Sequence, residues 1–532
     1  MSDSFVRRKF LSGSALLGLA SALPAQAQME HRCAGPVFNV QSFGAVGDGN
    51  KLNTKSLQAA IDACAQAGGG MVLFPPGKYL TGTIFLKSHV GLRLEAGATI
   101  LGSTNLADYP SRAPAFKAFT AAWTDKYLIY GEQLEDVFIE GHGTLDGQGA
   151  AFTPTEKGRP YLIRFSECNN VTVRGIKLIN SGMWVQHYLA CTDVHIDGVR
   201  VMSHANRNND GIDIDSCERV RIANCEIDSG DDAIVLKSGG ARMTRHVTVT
   251  NCVLRSMANA LKTGTESEGG FQNIAITNCV VHDTVHGGIS IETVDGGPLE
   301  NIVVSNIIMR GVGGPIFVRL GNRARPIEPG GPQLPTATAS NVLISDVEVA
   351  DAGNTGCSIV GLPGHNIRNV TLSNIRIRFQ GGGTKDLVTR DIPEKPDAYP
   401  EYSMFGPLPA YGFYCRHVEG LRFANITTDF DQPDARPALV CEDVSDLDLF
   451  GADFRQNTGS SASAILRNVR GAMIHGCRMR GETETFLRVE DQASENISLI
   501  ANDLSRARKI VDFGSGASKT SVYENANRMA GK

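Results

Sequence analysis

A short β-rich phrase recurs along most of this chain, and it constrains the fold more than any other feature of the sequence. In each copy, apolar and β-branched residues alternate around one Gly, Asn or Asp, which falls at positions 175, 198, 224, 251, 278, 306, 346 and 374. Weaker copies follow around Asn425, Gly451, Gly476 and Asn502. Repeats of about 20 to 30 residues with this alternation are typical of parallel β-solenoids, in which each repeat forms one turn. The sequence therefore predicts an all-β parallel β-helix.

The central residue of the repeat suits a corner between two strands. Gly and Asn adopt the left-handed backbone conformation more readily than other residues, and stacked asparagine side chains can hydrogen-bond from turn to turn. Helical periodicity is almost absent between the copies, which argues against an α/β sheet. The exception is residues 53–64, whose apolar stripe of Leu57, Ala60, Ile61 and Cys64 precedes a run of three glycines. We expect this helix to cap the N-terminal end of the solenoid.

The N-terminus has the composition of an export signal. Arg7, Arg8 and Lys9 precede an apolar stretch at residues 15–23, which is followed by an Ala-Gln-Ala sequence at residues 25–27. A basic region, a short apolar region and a small-residue cleavage motif form a secretory signal, and paired arginines are typical of the bacterial twin-arginine type. We therefore expect residues 1–27 to be removed and the mature protein to reach the periplasm or the extracellular space.

Composition excludes several classes of protein. The 532 residues carry 51 basic and 56 acidic side chains, and no basic block of the kind that binds nucleic acid stands out. No stretch after the signal approaches the ~20 apolar residues that a membrane span needs. We interpret most of the twelve cysteines as small buried residues, because Cys225, Cys252 and Cys279 recur with the repeat. We expect a monomer that needs no cofactor or metal.

Two segments interrupt the period of the repeat. The step of 40 residues between positions 306 and 346 predicts an inserted loop at residues 320–340. Residues 380–412 form a second insertion, and their part from 392 onward is rich in proline and aromatic residues. We expect residues 28–532 to form one β-helix domain, with both loops folded over its surface.

Acidic residues are concentrated in two adjacent turns. The motifs Asn209-Asp210-Gly211 and Gly230-Asp231-Asp232 match at an offset of 22 residues from Asp210 to Asp232, so these two side chains should stack with strands ~4.8 Å apart. Three carboxylates this close cannot ionise independently, and at least one pKa should rise. A carboxylic acid beside a carboxylate is what glycoside hydrolysis requires. We predict Asp210, Asp231 and Asp232 as catalytic residues, although a single aspartate at such a corner usually caps a turn.

The same stacking predicts a column of outward-facing polar side chains that could bind substrate. Its members are His187, Asp215, Lys237, Lys262, Glu292 and Arg319. Such a stripe of mixed charge suits a cleft for a polar or anionic sugar, but a solvated ladder of ion pairs would have the same pattern. Trp184 lies three residues before His187, and the sequence leaves open whether it stacks on a sugar ring or packs in the interior.

The aspartate motifs resemble those of glycoside hydrolase family 28, the polygalacturonases. Residues 38–49 (FNVQSFGAVGDG) and 72–79 (VLFPPGKY) are also similar to the start of the pectin-degrading β-helices, and the resemblance runs from about residue 37 to at least residue 425. It implies a right-handed, pectin-lyase-like β-helix and metal-independent, inverting hydrolysis of α-galacturonosyl linkages in pectic polysaccharides or oligosaccharides. By this analogy Asp231 protonates the leaving oxygen, while Asp210 and Asp232 hold and activate the attacking water.

Two motifs of that family are missing from this chain. Its Gly-His-Gly motif would fall near residues 257–260, which read Met-Ala-Asn-Ala. Its Arg-x-Lys motif, which grips the galacturonate carboxylate, would fall at residues 290–292, where Glu292 replaces the lysine and would repel a carboxylate. Lys237, Lys262 and Arg319 are candidates to supply the missing charge, and His286 is a candidate for a relocated histidine.

Three other functions remain compatible with the sequence. Rhamnogalacturonan hydrolases of the same family also lack the histidine. A pectate or rhamnogalacturonan lyase on the same fold would use the aspartates to bind Ca²⁺ and a basic residue to remove the proton next to the carboxylate. A non-catalytic carbohydrate-binding β-helix, such as an adhesin or a tailspike, would not need Asp231.

Overall fold

The protein folds into a long stack of parallel strands. The computed structural model describes residues 35–154, 158–328, 330–457 and 459–529, so the predicted signal at residues 1–27 lies outside the described part. In chain order the described strands are Val37–Asn39, Gly70–Phe74, Gly77–Thr81, Ile84–Phe85, Val90–Leu94, Ala98–Gly102, Tyr127–Glu132, Glu135–Gly141, Thr144–Asp146, Tyr161–Ser166, Asn169–Arg174, Lys177–Ile179, Gln186–Leu189, Thr192–Asp197, Arg200–Ser203, Ile212–Asp215, Glu218–Ala223, Glu226–Ser229, Ile234–Ser238, Thr244–Thr250, Val253–Ser256, Leu261–Ser267, Phe271–Thr293, Leu299–Leu320, Ala339–Ala352, Cys357–Val360, Ile367–Gly381, Phe413–Gln432, Leu439–Phe450, Asp453–Arg455, Ala464–His475, Arg478–Arg480, Thr483–Glu490, Glu495–Ile500, Ala507–Phe513 and Val522–Asn525.

Each turn of the right-handed β-helix contributes strands to three faces, and each strand pairs in parallel with its equivalent one turn away. One face carries Gln186–Leu189, Ile212–Asp215 and Ile234–Ser238 in consecutive turns. We call it the site face. From Phe271 onward a single strand can follow the chain around the corners, as Phe271–Thr293 does. The all-β parallel β-helix predicted from the repeat is confirmed.

The repeat's central residues form corners in the left-handed conformation. Gly175 has a φ of 70°, and Asn224, Asn278 and Asn374 have φ values of 58°, 56° and 53°. Most of the asparagine side chains at these corners form a ladder, in which the amide donates to the turn before it. The Nδ2 atom of Asn374, for example, donates to Oδ1 of Asp346 at 3.0 Å. A left-handed corner that also bonds to its neighbour explains why Asn and Gly recur at this position.

The α-helix Thr54–Gln66 packs on the first turn, as predicted. Its buried residues are Leu57, Ala60, Ile61 and Cys64, which join the same hydrophobic core as the inward side chains of the strands. The remaining helical segments are short 3₁₀ turns at Val40–Phe43, Leu106–Asp108, Phe119–Ala122, Gly149–Ala151, Lys385–Thr389 and Lys519–Ser521. In the described part of the chain, none of the helices has the length and hydropathy needed to cross a membrane.

Two strand-free segments lie against the site face. Residues 382–412 contain only the 3₁₀ turn Lys385–Thr389 and pack Ile392, Phe405 and Leu408 onto outward side chains of later turns. Residues 321–328 and 330–338 form the other segment. The eleven described cysteines are all buried and unpaired, and several stack on one another from turn to turn. The extent of the domain and of its insertions stays a prediction.

Candidate active site

The three predicted catalytic aspartates converge. Ile212 pairs with Ile234, which places the turns of Asp210 and Asp232 directly above one another at the offset of 22 residues. One carboxylate oxygen from each of Asp210, Asp231 and Asp232 lies within 4.8 Å of the others. Asp210 and Asp232 are buried, whereas Asp231 is partly exposed. Asp231 is therefore the member of the cluster that a solvent-borne substrate reaches first.

The corner before Asp210 is held by a buried asparagine. The side chain of Asn209 donates to the carbonyl oxygens of Ser181 and Met183 at 3.0 and 2.9 Å, and its own oxygen accepts from Ser203. These bonds satisfy the polar groups of a turn that has no strand partner. Asp210 is thereby held in one position.

Asp232 is arranged to stay ionised. Its Oδ1 atom accepts from the backbone N–H and the side-chain amide of Asn259 at 3.0 and 2.8 Å, and its Oδ2 lies 3.0 Å from Nζ of Lys262. Burial acts to raise the pKa of Asp232, but the charges of Lys262 and Lys237 and the bonds from Asn259 outweigh it and hold the pKa below its usual value.

The pKa values of Asp210 and Asp231 are raised instead of lowered. Burial and the charge of Asp231 raise the pKa of Asp210 well above its usual value, and Oδ1 of Asp210 has no hydrogen-bond partner among the described residues. Burial and the neighbouring Asp232 raise the pKa of Asp231 as well. A carboxylate with a lowered pKa thus stands beside two carboxyl groups with raised pKa values, a pairing that suits general acid–base catalysis.

A buried ionic network supports the cluster from the next positions along the strands. Nζ of Lys237 lies 3.1 Å from Oε2 of Glu266 and 3.7 Å from Oδ1 of Asp213. Glu266 also binds Arg325 at 2.9 Å, and Arg325 binds Asp295 at 3.0 Å. Removing one member would leave a buried charge uncompensated, which costs about 3–5 kcal/mol. The network therefore keeps Lys237 in place beneath the aspartates.

The predicted substrate-binding column is wrong in its register. His187 pairs with Asp213 rather than with Asp215, and Lys262 pairs with Val235 rather than with Lys237. His187 and Lys262 therefore share one column, while Asp215 and Lys237 belong to the neighbouring column two residues along the strand. The pairing of Glu292 with Arg319 is as predicted. Turn lengths in this column vary from 22 to 28 residues, and sequence spacing alone could not resolve which residues align.

Trp184 and His187, which precede the aspartate turns, are buried. Trp184 is 1% exposed, stacks on Tyr161 with ring centroids 5.2 Å apart and has Nζ of Lys237 4.8 Å from its own centroid. His187 is buried beside it, and burial together with the charge of Arg164 lowers the pKa of His187 to about 4. The two rings support the floor of the site, so the expectation that they contact a sugar is not met in this structure.

Glu292 and Arg319, which follow the aspartate turns, are also buried. Arg319 is buried and donates to the carbonyl oxygens of Gly361, Glu394 and Lys395 at 3.0, 2.8 and 3.1 Å, so it anchors the segment 382–412. Glu292 is buried, and both of its carboxylate oxygens lack hydrogen-bond partners among the described residues. Burial raises the pKa of Glu292 well above its usual value, although Lys262 acts against this.

Residues 64–395 match the sequence model of glycosyl hydrolases family 28. The chain belongs to this family.

Relatives of this family 28 protein include a probable polygalacturonase of Vitis vinifera, 35% identical over 222 residues that are 39% of this chain and 45% of that protein. An exopolygalacturonase of Platanus acerifolia is 25% identical over 66% of this chain and 92% of its own length. Among solved structures, the hyperthermoactive exopolygalacturonase of Thermotoga maritima superposes with a TM-score of 0.58 at 25% identity, covering 65% of this chain and 88% of that one. The chain thus spans less than half the length of the Vitis relative.

Three residues that contact the predicted site residues were not themselves predicted from the sequence. They are Asn259, Tyr399 and Glu401. Asn259 binds Asp232 at the place where the family's histidine was expected, and its offset of 27 residues from Asp232 was a usable signal. Tyr399 and Glu401 come from the segment 382–412. The hydroxyl of Tyr399 lies 3.4 Å from Nζ of Lys262, and Glu401 binds Nδ1 of His286 at 3.0 Å. No spacing rule connects a loop to strands more than 100 residues earlier, so only the tertiary structure shows these two.

Proposed function

We propose that this protein hydrolyses glycosidic bonds of pectic polysaccharides or oligosaccharides, with Asp231 as the general acid. The observation that carries the proposal is the convergence of three carboxyl groups, with one oxygen of each within 4.8 Å of the others. The raised pKa values of Asp231 and Asp210 and the lowered pKa of Asp232 are consistent with it. Membership of family 28 supports a pectic substrate.

The reaction follows from these positions. Asp231 gives its proton to the leaving glycosidic oxygen as the bond from that oxygen to the anomeric carbon breaks. A water molecule held by Asp210 and Asp232 adds its oxygen to the anomeric carbon and gives one proton to the ionised Asp232. One water is consumed, and the two sugars separate as free ends.

Inversion at the anomeric carbon is part of the proposal and needs its own measurement. The nearest carboxylate oxygens lie within 4.8 Å, which is closer than the separation of about 6.5–9.5 Å that is general for inverting glycosidases. Inversion therefore rests on the family resemblance. Proton NMR of the first product distinguishes the outcomes, since inversion of an α-linkage releases the β-anomer.

The enclosed site also favours action at chain ends. On one side of the aspartate turns, Thr120 in the 3₁₀ turn Phe119–Ala122 donates a hydrogen bond to Asp215 at 2.6 Å. The aromatic cluster that contains Trp184 lies on the same side. On the other side, Phe317 and the later site-face turns lie beneath Phe405 and Leu408. Because the turns on both sides of the aspartates are covered, we propose that the enzyme releases short products from one chain end.

A lyase is less consistent with the geometry. Burial alone would lower the pKa of Lys262, but Asp232 and Tyr399 outweigh it and hold that pKa well above its usual value. Lys237 is likewise held protonated, chiefly by Glu266 and Asp213 against the effect of burial. Neither lysine is therefore a suitable base for removing a proton from a sugar.

The experiment compares the mature protein with its Asp231→Asn variant on polygalacturonan and on rhamnogalacturonan. Reducing ends should appear with the wild type and fall about 10²–10⁴-fold in the variant. Asp197→Asn, an exposed aspartate on another face, is the matched control and should leave the rate unchanged. Unsaturated products would contradict hydrolysis, and binding without any product would favour a carbohydrate-binding β-helix.

We also propose that the N-terminal segment directs export, since a pectic polymer lies outside the cell that degrades it. N-terminal sequencing of the protein from the periplasmic and culture fractions tests this. A start just after residue 27 is expected, whereas an intact N-terminus in the cytoplasm would contradict export.

A further inference from the structure

Three accessible side chains border the aspartates on the side of the later turns. Tyr399 is 57% exposed, and His286 and Glu401 are partly exposed. The ammonium group of Lys262 spans the gap between the hydroxyl of Tyr399 and the carboxylate of Asp232, at 3.4 and 3.0 Å. A sugar bound against this rim is therefore next to the reacting groups. We call Tyr399, Glu401 and His286 the rim subsite.

Among the residues that the structure describes, each cation at the rim subsite is already paired. Lys262 is paired with Asp232, and His286 is paired with Glu401 at 3.0 Å. Arg323 lies 5.8 Å from the ring centroid of Tyr399, but its guanidinium is bound to Asp295 and to the carbonyl oxygen of Thr265. These pairs neutralise the positive charges within the protein itself.

The cations in the neighbouring turns are engaged too. Arg325 binds Glu266 and Asp295, and Lys237 binds Glu266. Arg319 donates its hydrogen bonds to carbonyl oxygens of the segment that it anchors. The three candidates that the sequence offered to replace the missing family lysine, Lys237, Lys262 and Arg319, are therefore all committed to partners within the protein.

Acidic groups are left over in the same place. Glu292 lies beneath the rim with both oxygens unpartnered among the described residues, and the charges of Glu401 and Asp232 act on it. A carboxylate brought by the substrate would lose hydration in this partly desolvated site without gaining an unpaired cation among the described residues. The exposed ring of Tyr399, in contrast, offers a flat amphipathic surface that suits an uncharged sugar ring.

We propose that the rim subsite accepts an uncharged sugar ring. The bond that is cleaved then has a neutral sugar, or a galacturonate whose carboxyl is esterified, on the side of Tyr399. This inference rests on the hydrolysis proposed above and specifies its substrate class. The two chemical sources of an uncharged ring are separated by the choice of substrates.

The test measures kcat/KM on three oligosaccharides of matched length. They are an unesterified oligogalacturonate, its methyl ester, and an oligosaccharide in which galacturonate alternates with rhamnose. At least one uncharged-ring substrate should exceed the unesterified oligogalacturonate about tenfold or more, and the better of the two identifies the source. If the unesterified oligogalacturonate is cleaved best, this inference is overturned while the proposed hydrolysis stands.

Binding separates the two proposals further. Calorimetry of the Asp231→Asn variant with the same three compounds reports recognition without turnover. Tighter binding of an uncharged-ring compound supports the inference even if no substrate is hydrolysed, an outcome that would contradict only the proposed catalysis. Equal or weaker binding of both uncharged-ring compounds would overturn the inference.

Two substitutions report on the cause. Glu292→Lys should raise kcat/KM for the unesterified oligogalacturonate relative to its methyl ester by about tenfold. Because a buried lysine can prevent folding, Glu401→Gln provides a second variant at an accessible position, with the same direction and a smaller change. Glu419→Gln, a distant exposed glutamate, is the matched control and should leave the ratio unchanged. If neither Glu292→Lys nor Glu401→Gln altered the ratio of kcat/KM between the two substrates, the charge of the site would not be the cause of the selectivity.

Discussion

The column of outward side chains that contains His187 and Lys262 changes in chemical character along the site face. In the earlier turns it runs through the buried residues Arg164, His187, Asp213, Val235 and Lys262, of which all but Val235 are charged or polar. In the later turns its positions are Phe317, Ser358, Tyr414, Val440 and Ile465, beneath the segment 382–412. Parallel pairing runs through both halves, with register shifts between Leu236 and Ser238 and between Thr284 and Gly287. The comparison shows that a β-helix provides a uniform scaffold, and that outward side chains alone decide whether a turn serves chemistry or stability.

The two halves also use burial differently. In the later half, burial of apolar side chains stabilises the fold in proportion to the area removed from water, at about 25 cal/mol per Å². In the earlier half, burial raises the pKa of Asp231, the charges of Lys262 and Lys237 hold that of Asp232 low, and burial makes each ion pair costly to disturb. Substitutions in the two halves should therefore have different primary effects.

The largest expected effect is on catalysis, from Lys262→Met. Loss of the cation 3.0 Å from Asp232 removes the main charge that lowers the pKa of this carboxylate, so that pKa should rise. In the proposed reaction Asp232 must be ionised to accept a proton, so the acidic limb of the pH–rate profile should move to higher pH. Below that limb, kcat should fall about tenfold for each unit by which the pKa rises.

A pH–rate profile checks this prediction. Lys177→Met, an exposed lysine on another face, is the control whose profile should match the wild type. A uniform fall in kcat at all pH values, without movement of the limb, would show that Lys262 acts on the substrate instead of on Asp232.

The next effect is on stability, from Phe405→Ala in the covering segment. Phe405 is buried on the later turns, and Arg319 lies over its ring at 5.3 Å. Truncation of a buried phenylalanine typically costs 3–5 kcal/mol of unfolding free energy, here concentrated in the segment that Phe405 anchors. Hydrogen exchange should accelerate in residues 392–411, and kcat/KM should fall because Tyr399 and Glu401 belong to that segment.

Phe450→Ala provides the comparison for that measurement. Phe450 is exposed on a different face, so the same change of side chain should cost well under the effect at Phe405. Equal losses of unfolding free energy in the two variants would mean that packing of residues 382–412 on the later turns contributes no particular stability.

The smallest effect is expected from the asparagine ladder, which runs through both halves alike. Asn306 has a φ of 56° and donates to Oδ1 of Asn278 at 2.5 Å. Asn306→Ala should lower the free energy of unfolding by about 1–2 kcal/mol, because it loses the bond and strains a left-handed corner. Asn306→Gly keeps the backbone freedom and should cost less. Thermal unfolding of both variants tests the order, and a larger loss in the glycine variant would reverse the argument.

Much of the fold was predictable because it is periodic. The alternation of apolar residues around a Gly or Asn corner is a local signal, and each copy strengthens the same interpretation. The convergence of Asp210, Asp231 and Asp232 was predictable for a related reason, since an offset of 22 residues from Asp210 to Asp232 is one turn. The column of substrate-binding residues was not, because unequal turn lengths shifted His187 and Lys262 out of line with Asp215 and Lys237.

The sequence by itself determined the parallel β-helix, its capping helix and the convergence of Asp210, Asp231 and Asp232, since each follows from neighbouring residues or from one period. The tertiary structure decided which of these side chains are accessible and which are charged. The segment 382–412 covers the later turns, brings Tyr399 to Lys262 and Glu401 to His286, and is anchored by Arg319. Such contacts depend on where a long loop comes to rest, and pKa values depend on burial and on charges from distant parts of the chain, so neither is encoded in a local pattern.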